Sequence, residues 1–353
     1  MSGFIHAIIL GAAGYGGGEL LRWLLQHPQV ASIRGVSRSH AGQPFWTAHP
    51  NLRGFTTGSF EPEMDWASLP LDGSIVVFSA MGHGELAQRL PALEVAWKDA
   101  GLQDRLTLID LSGDFRLQDP DAYASGYGVD HPCPERIQGF VYGLSEWNRD
   151  PLRGARRIAN PGCFATAIQL ALLPLANLPD LGFVAVTGIT GSSGSGTLAQ
   201  EGTHHPTRAQ DFRAYKVLGH QHGAEVEQLL GRIGTAAQVA FVPHSAPLVR
   251  GIFVTVQFQL PTAMEDVALQ QRFERALDGR PFLRRVEGSP RIATVVGTNF
   301  AEVALHIKGS TAAILVALDN LGKGMASQAI QNMNLALGLP EAAGLWVPAI
   351  YPG

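Results

Sequence analysis

The feature that most constrains the fold lies near the amino-terminal end. A short apolar run, Ile5 to Leu10, is followed by Gly11-Ala12-Ala13-Gly14-Tyr15-Gly16-Gly17-Gly18, and Glu19-Leu20-Leu21-Arg22-Trp23-Leu24-Leu25 then takes up helical spacing. Strand, glycine turn and helix in that order open a βαβ unit. Gly11, Gly14 and Gly17 make a GxxGxxG pattern, where missing side chains let the backbone approach a pyrophosphate and the helix start offers amides and partial positive charge. An ordinary tight βα turn carries the same glycines; a flanking strand and helix in register favour dinucleotide binding. A second strand, Ser32 to Ser37, arrives at the right distance and ends in Val36-Ser37-Arg38-Ser39. A hydroxyl and a guanidinium there suit a 2′-phosphate, where an NAD site usually places Asp or Glu. NADP is the expected cofactor, with a solvated surface arginine as the other reading of Arg38.

Ser74 to Ser79 and Leu106 to Asp110 read as further buried parallel strands, so the first 160 residues look doubly wound. The texture changes at Asn160-Pro161-Gly162. Beyond it come a helix (Ala165 to Leu175), a strand (Val184 to Ile189) and a Gly- and Ser-rich loop (Gly188 to Gly196). Alternating strands at Gly251 to Phe258 and Thr311 to Ala317 predict a second sheet with one face against helices. The stretch Lys323 to Leu337 reads as one long helix. With 353 residues and about 150 per domain, two domains are expected, and 46% apolar against 16% charged residues excludes wholesale disorder. Twenty-six basic against 30 acidic side chains provide no basic excess for nucleic acid. No apolar run is long enough for a bilayer, and the opening Met1-Ser2-Gly3-Phe4-Ile5-His6 lacks a basic region before an apolar one. The expectation is a cytoplasmic protein with neither a membrane nor a nucleic acid as partner.

Two cysteines are too few for a disulfide framework or a four-thiolate zinc site. Cys163, in Asn160-Pro161-Gly162-Cys163-Phe164-Ala165-Thr166, follows a turn and opens an apolar helix, where amides and dipole stabilise a thiolate. It is the candidate nucleophile. Cys133, between Pro132 and Pro134 with no helix after it, reads as structural. A thiolate acting on a carbonyl needs an acid/base partner, and Gly219-His220-Gln221-His222 supplies histidines just before a helix. The adjacent His204-His205 pair has no carboxylate cluster beside it, so no metal is expected. Arg208, Arg213 and Lys216 form a basic stretch that suits an anionic substrate or is simply a solvated face. The loop Gly191-Ser192-Ser193-Gly194-Ser195-Gly196 is either an anion nest or a flexible connection.

Taken together these residues resemble the N-acetyl-γ-glutamyl-phosphate reductases and their lysine-pathway relatives, which act on aminoadipyl phosphate bound to the carrier protein LysW. The likeness runs nearly end to end. It is carried by the glycine turn, Ser37-Arg38, His49-Pro50-Asn51-Leu52-Arg53, Asp110-Leu111-Ser112-Gly113-Asp114-Phe115-Arg116, Val141-Tyr142-Gly143-Leu144, Asn160-Pro161-Gly162-Cys163, Gly219-His220-Gln221-His222, Arg250-Gly251, Gly297-Thr298-Asn299 and Asp319-Asn320-Leu321-Gly322-Lys323-Gly324. The resemblance implies an α/β protein: a Rossmann-type NADP-binding domain (1–160 and 325–353) and a semialdehyde-dehydrogenase-like α+β catalytic and dimerisation domain (161–324). It further implies Cys163 as nucleophile and His220 as acid/base. Cofactor contacts would come from Gly11, Gly14, Tyr15, Gly17, Ser37, Arg38, Ser193, Gly194 and Asn320, and substrate contacts from Arg116, Asn160, Arg208, Arg213, Lys216 and Arg250. The implied assembly is a homodimer or homotetramer.

The implied reaction is NADPH-dependent reduction of an acyl phosphate to a semialdehyde through a cysteine thioester. Arginine-pathway enzymes usually have an arginine in the loop that here reads Gly191-Ser192-Ser193-Gly194-Ser195-Gly196-Thr197. Its absence, with Thr203-His204-His205-Pro206-Thr207-Arg208-Ala209 and Phe212-Arg213-Ala214-Tyr215-Lys216, is similar to the LysW-dependent lysine branch, whose acidic carrier basic residues would meet. That branch is expected first, the acetylglutamyl enzyme second. Met81-Gly82-His83-Gly84 departs from the Leu-Pro-His-Gly common in the family. Aspartate-semialdehyde or phosphorylating glyceraldehyde-phosphate chemistry uses the same thiolate logic but fits the local motifs less well. A dinucleotide-sensing binding protein without turnover is the alternative of another class.

Overall fold

A computed structural model describes residues 4–70, 72–178, 180–260 and 264–352. Residues 1–3 and 353, the two ends of the expected NADP-binding domain, lie outside them, and with them the opening Met1-Ser2-Gly3. The chain divides into two compact units. The first runs up to Ala124 and adds Val129–Pro161 and Met325–Trp346; the second comprises Ser125–Gly128, Gly162–Gly324 and the tail from Val347. Pro161 thus falls with the first unit, and Ser125–Gly128 and the tail with the second, because these residues pack chiefly there.

In the first unit seven strands pair in parallel, and the central three are runs rich in Ile, Val and Leu buried on both faces. They are β1 (Ile5–Leu10), β2 (Val30–Val36), β3 (Phe60–Glu61), β4 (Ser74–Ser79), β5 (Leu106–Asp110), β6 (Val141–Tyr142) and β7 (Arg157–Ala159), in the order β3-β2-β1-β4-β5-β7-β6. Helices α1 (Tyr15–Leu24), α2 (Glu85–Asp99), α3 (Pro120–Tyr127) and α4 (Arg149–Leu152) connect them. One face is closed by Leu86, Leu90, Leu93 and Trp97 of α2 over Ile8, Leu10, Val77 and Leu108. Cys133 lies in this same core, and burial pushes its thiol up to about 11, as suits a structural role. The expected single helix from Lys323 divides into a π-turn, Gly322–Ala326, and a C-terminal α-helix, Ser327–Ala336, with every residue of the latter buried. Its amides are matched to partners: His27 meets Asn334 at 3.0 Å, and Asn332 bonds Ser145, Gly143 and Asn160.

Asp110 ends β5 fully buried. One carboxylate oxygen accepts from the Ser112 amide and hydroxyl, at 2.9 and 2.7 Å, while Oδ2 has no hydrogen-bond partner among the described residues. Burial, reinforced by the Asp114 charge, pushes the carboxyl up to about 7. A folded-state value above the unfolded one means that ionisation opposes folding, so this contribution is present at low pH and is lost as pH rises through 7. Asp110→Asn is therefore expected to flatten the fall in melting temperature between pH 5.5 and 8. Equal falls in both proteins, followed by calorimetry, would contradict a buried neutral acid.

In the second unit α5 (Cys163–Leu172) is mainly apolar and buried from Phe164 onward. Its sheet contains β8 (Asp180–Thr190), β9 (Arg213–Ala214), β10 (Ala236–Ser245), β11 (Ile252–Gln259), β12 (Leu283–Arg285), β13 (Ala301–Lys308) and β14 (Thr311–Leu318), in the order β12-β13-β14-β11-β8-β10-β9. Helices α6 (His205–Arg208), α7 (His222–Arg232) and α8 (Asp266–Leu277) complete it. Val184, Val186, Val254, Val256, Ile314 and Val316 are buried on the face where α5 packs. The alternate residues Phe183, Thr187, Phe253 and Leu315 are exposed or half-exposed on the other, so the sheet is one-sided as the alternation predicted. No helix of the described residues is long and apolar enough to cross a membrane.

Candidate active site

β1 lies between β2 and β4, so the connections leave it in opposite directions and open a crevice beyond the carboxyl ends of β1 and β4. The glycine turn sits there. Gly11 has φ +80°, and a Cβ on it would stand 2.6 Å from the Ala80 carbonyl oxygen; one on Gly17 would stand 2.4 Å from that of Ala12. Gly14 is not crowded in this way, and as N-cap of α1 it leaves the helix start open to approach. The helix begins at the exposed Tyr15 rather than at Glu19, because Gly16, Gly17 and Gly18 are drawn into its first turn by close packing. At the end of β2, Ser37 is buried and its amide donates to Glu61 at 2.9 Å, whereas Arg38 is exposed. A side-chain-free cradle at a helix N-terminus, with a hydroxyl and a cation at the next strand end, fits a dinucleotide.

Two expected substrate residues also belong to this unit. Arg116 is 5% exposed and donates to the carbonyls of Asn160 and Leu111, at 2.8 and 2.9 Å. Asn160 is itself buried, donating to Met325 and accepting from Asn332. Both hold main chain in place.

In the second unit Gly162 caps α5 and Cys163 is its first residue, half-buried and in no disulfide. The Gly162 amide donates to Oε2 of Glu225 at 3.0 Å, and its carbonyl accepts from the Thr166 amide and hydroxyl. His222 covers Gly162 so closely that a Cβ there would stand 2.4 Å from its Nε2. His222 and Glu225 begin the buried stripe of α7 that continues through Val226, Leu229 and Leu230, so helical spacing itself delivers both to the cysteine turn. On the other side a Cβ at Gly324 would lie 2.7 Å from that of Cys163.

His220 sits among Phe164, Tyr215, His222 and Phe241, with ring centroids 4.5–5.8 Å apart. Its Nδ1 accepts the His222 amide at 3.1 Å, which assigns the proton of the neutral ring to Nε2. Burial, and after it the Lys216 charge, lowers its pKa to about 4, so the ring is neutral at physiological pH. Lys216 and Leu218, just before it, have φ of +42° and +58°. Such left-handed non-glycine residues store about 1–3 kcal/mol each and cluster at functional sites. Tyr215, overlooked as a site residue, meets the His220 ring edge-on at 5.8 Å; burial, and after it Cys163, raises its phenol above the ordinary value. Its only sequence signal is an aromatic amid charges.

The other expected residues of this unit divide by where they are directed. Arg208 donates to Ser245 and Ala246, and Arg250 grips the buried Asp319 with two nitrogens, at 3.3 and 2.7 Å. Each guanidinium braces its own chain. Arg213 pairs with Asp211 and Lys216 with Gln221, both at the surface. The Gly/Ser loop is an ordered 3₁₀ turn, Ser192–Ser195, laced to Leu248 and Val249 by main-chain bonds. Asn320 donates to Ser193 at 2.9 Å and accepts from the Gly251 amide at 2.8 Å, while Gly194 lies beside it. Among the described residues no group of three or more His, Cys, Asp or Glu is placed to hold a metal ion.

Residues 6–155 match the model of the semialdehyde dehydrogenase NAD-binding domain, and residues 163–320 that of the semialdehyde dehydrogenase dimerisation domain. An N-acetyl-gamma-glutamyl-phosphate reductase of Methanopyrus kandleri is 40% identical over 348 residues, 98% of either chain. A LysW-L-2-aminoadipate 6-phosphate reductase of Deinococcus radiodurans is 37% identical over 355 residues, 98% of this chain and 97% of that one. Aspartate semialdehyde dehydrogenase II of Vibrio cholerae superposes with a TM-score of 0.68 over 94% of this chain and 98% of its own; at 17% identity this is a likeness of fold. The chain belongs to the semialdehyde dehydrogenase family, beside its acylglutamyl- and aminoadipyl-phosphate reductases, and is an oxidoreductase built to use a nicotinamide dinucleotide.

Proposed function

We propose that the protein reduces an acyl phosphate to its semialdehyde with NADPH, through a thioester on Cys163. The carrying observation is the second unit's pairing of a helix-start cysteine with a neutral, Nε2-protonated His220, both neighbours of Tyr215 and Phe164. The Cys163 thiolate, favoured by the first-turn amides, attacks the carbonyl carbon; the bond to phosphate breaks, phosphate departs with the electron pair, and a thioester remains. What the dinucleotide supplies when bound is a hydride. The tetrahedral oxyanion formed at the former thioester carbon takes a hydrogen bond from His220 Nε2, and its collapse expels the Cys163 thiolate and yields the aldehyde. Ser37 and Arg38 support NADP over NAD as the cofactor.

For the substrate, we put the acetylglutamyl compound ahead of the LysW-linked one that the sequence puts first. The basic stretch that favoured an acidic carrier loses Arg208 to its own main chain, leaving Arg213 and Lys216 at the surface. That loss, with the arginine-pathway name of the relative of 40% identity, supports N-acetyl-γ-glutamyl phosphate. The LysW-linked aminoadipyl phosphate is the second reading, carried by the arginine-free loop Gly191–Thr197. The deciding assay is phosphate-dependent NADP reduction with acetylglutamate semialdehyde set against the LysW-linked aminoadipate semialdehyde. At least about a hundredfold preference in kcat/KM for the former is expected, and the opposite preference installs the second reading. The helix-free face of the second unit's sheet supports a homodimer formed there, which sedimentation would read as twice the chain mass.

A further inference from the structure

His49-Pro50-Asn51-Leu52-Arg53 is a motif for which the reaction above has no use. In the first unit His49 is 6% exposed, between a 3₁₀ turn at Phe45–Thr47 and another at Pro50–Leu52. Its Nε2 donates to the carbonyl oxygen of Ala12 at 2.8 Å, in the middle of the glycine turn. A carbonyl only accepts, so the proton is on Nε2. The rest of the ring lies against α1, where a Cβ on Gly18 would stand 2.5 Å from Nδ1 and 2.7 Å from Cε1. Behind it, Phe60 meets His49 edge-on at 6.1 Å and Phe45 at 4.9 Å. Phe45 in turn fills the space over Gly35 of β2, two residues before Ser37. One buried imidazole thus joins the turn to the strand end.

Both peptide groups flanking Ala12 are held, the Ala12 N–H donating to the Val36 carbonyl at 3.0 Å and the Ala12 carbonyl, in the next peptide, accepting from His49. In a planar trans peptide the C=O and the following N–H point in opposite directions. Drawing the Ala12 carbonyl toward His49 therefore aims the Ala13 amide the other way, out of the turn. Amides so aimed are what a pyrophosphate requires of a glycine turn. Burial lowers the His49 pKa, so it acts as a fixed neutral donor.

We propose that His49 is a positioning residue for the dinucleotide, orienting the glycine turn from behind through the Ala12 carbonyl. This rests on the reading that the turn binds NADPH. The test is NADPH titration by fluorescence, with steady-state kinetics and the melting temperature of the cofactor-free protein, on His49→Ala, His49→Gln, Gly18→Ala and the Gly18→Ala/His49→Ala double variant. His49→Ala should raise the NADPH Kd and KM about tenfold with kcat within about twofold, and His49→Gln, which keeps a donor near the Nε2 position, should recover most of the loss. Gly18→Ala, by pushing the ring aside, should weaken NADPH comparably, and should add nothing once the ring is gone. Unchanged NADPH affinity in His49→Ala, or His49→Gln as weak as alanine, overturns the proposal. Should His49→Ala fail to fold, His49→Gln and Gly18→Ala decide: a glutamine variant near wild type beside a weakened Gly18→Ala upholds it, and any other pair of results overturns it. A wild-type protein that does not bind NADPH defeats the functional reading instead.

Discussion

Replacing Cys163 by serine lowers reductase turnover at least about a thousandfold while NADPH still binds. The thiol is the one group at the start of α5 able to become a good nucleophile and, after reduction, a good leaving group; an alcohol is poor at both near neutral pH. Serine conserves shape, and the contacts of Gly324 and His222 around the turn tolerate it, so the melting temperature should move by no more than a few degrees. Mass spectrometry after mixing with acyl phosphate, without reductant, should detect an acyl adduct on the wild type and none on the variant. Turnover above about a tenth of wild type would remove Cys163 from the chemistry.

The second large effect is expected at His220. Removing one hydrogen-bond donor to a developing oxyanion costs about 10²–10³ in turnover, and His220→Ala should fall in that range with NADPH affinity nearly unchanged. His220→Gln, with an amide near the position of Nε2, should retain more activity. The pH profile separates a neutral donor from a charged acid. Its pKa, depressed to about 4 in the folded state, leaves the ring uncharged from pH 5.5 to 8, so no limb near 6.5 should arise from it. The same depression means that the unfolded chain binds the extra proton first, so this histidine's contribution to stability is full above about 6.5 and lost as pH falls toward 4. A limb near 6.5 that disappears in His220→Gln would assign the residue a charged role.

Much of this site was legible from sequence because it is local. Gly11, Gly14 and Gly17 lie within one turn, and Cys163 advertises itself by following Pro161-Gly162 at the head of an apolar helix. The buried strands β1, β4 and β5 were read to the residue, since apolar runs bounded by turns leave few alternatives. What escaped depends on tertiary partners. β10 carries Pro243, which argues against a strand, yet it pairs along β8, with only the two-residue β9 on its other edge. Strands β6 and β7, of two and three residues, are too short for periodicity. A guanidinium reads the same in sequence whether it faces solvent, a carbonyl or a carboxylate, so the contacts of Arg116 with the Asn160 carbonyl, of Arg208 with that of Ala246 and of Arg250 with the Asp319 side chain are not legible there. Helical spacing puts His222 and Glu225 on one face of α7, but that this face meets Gly162 depends on how α7 packs on α5, which spacing does not announce.

Three successive glycines at the start of α1 have an energetic consequence. In a helix interior glycine is less favourable than alanine by about 1 kcal/mol, and Gly16, Gly17 and Gly18 bias the first turn of α1 in the same direction. Leu20, Leu21, Trp23 and Leu24, all buried, must hold the rest of the helix down while that first turn stays weak. Backbone amides there should trade hydrogen for deuterium faster than those a turn further on, and an anion seated against them would slow the trade, so the segment doubles as its own occupancy gauge.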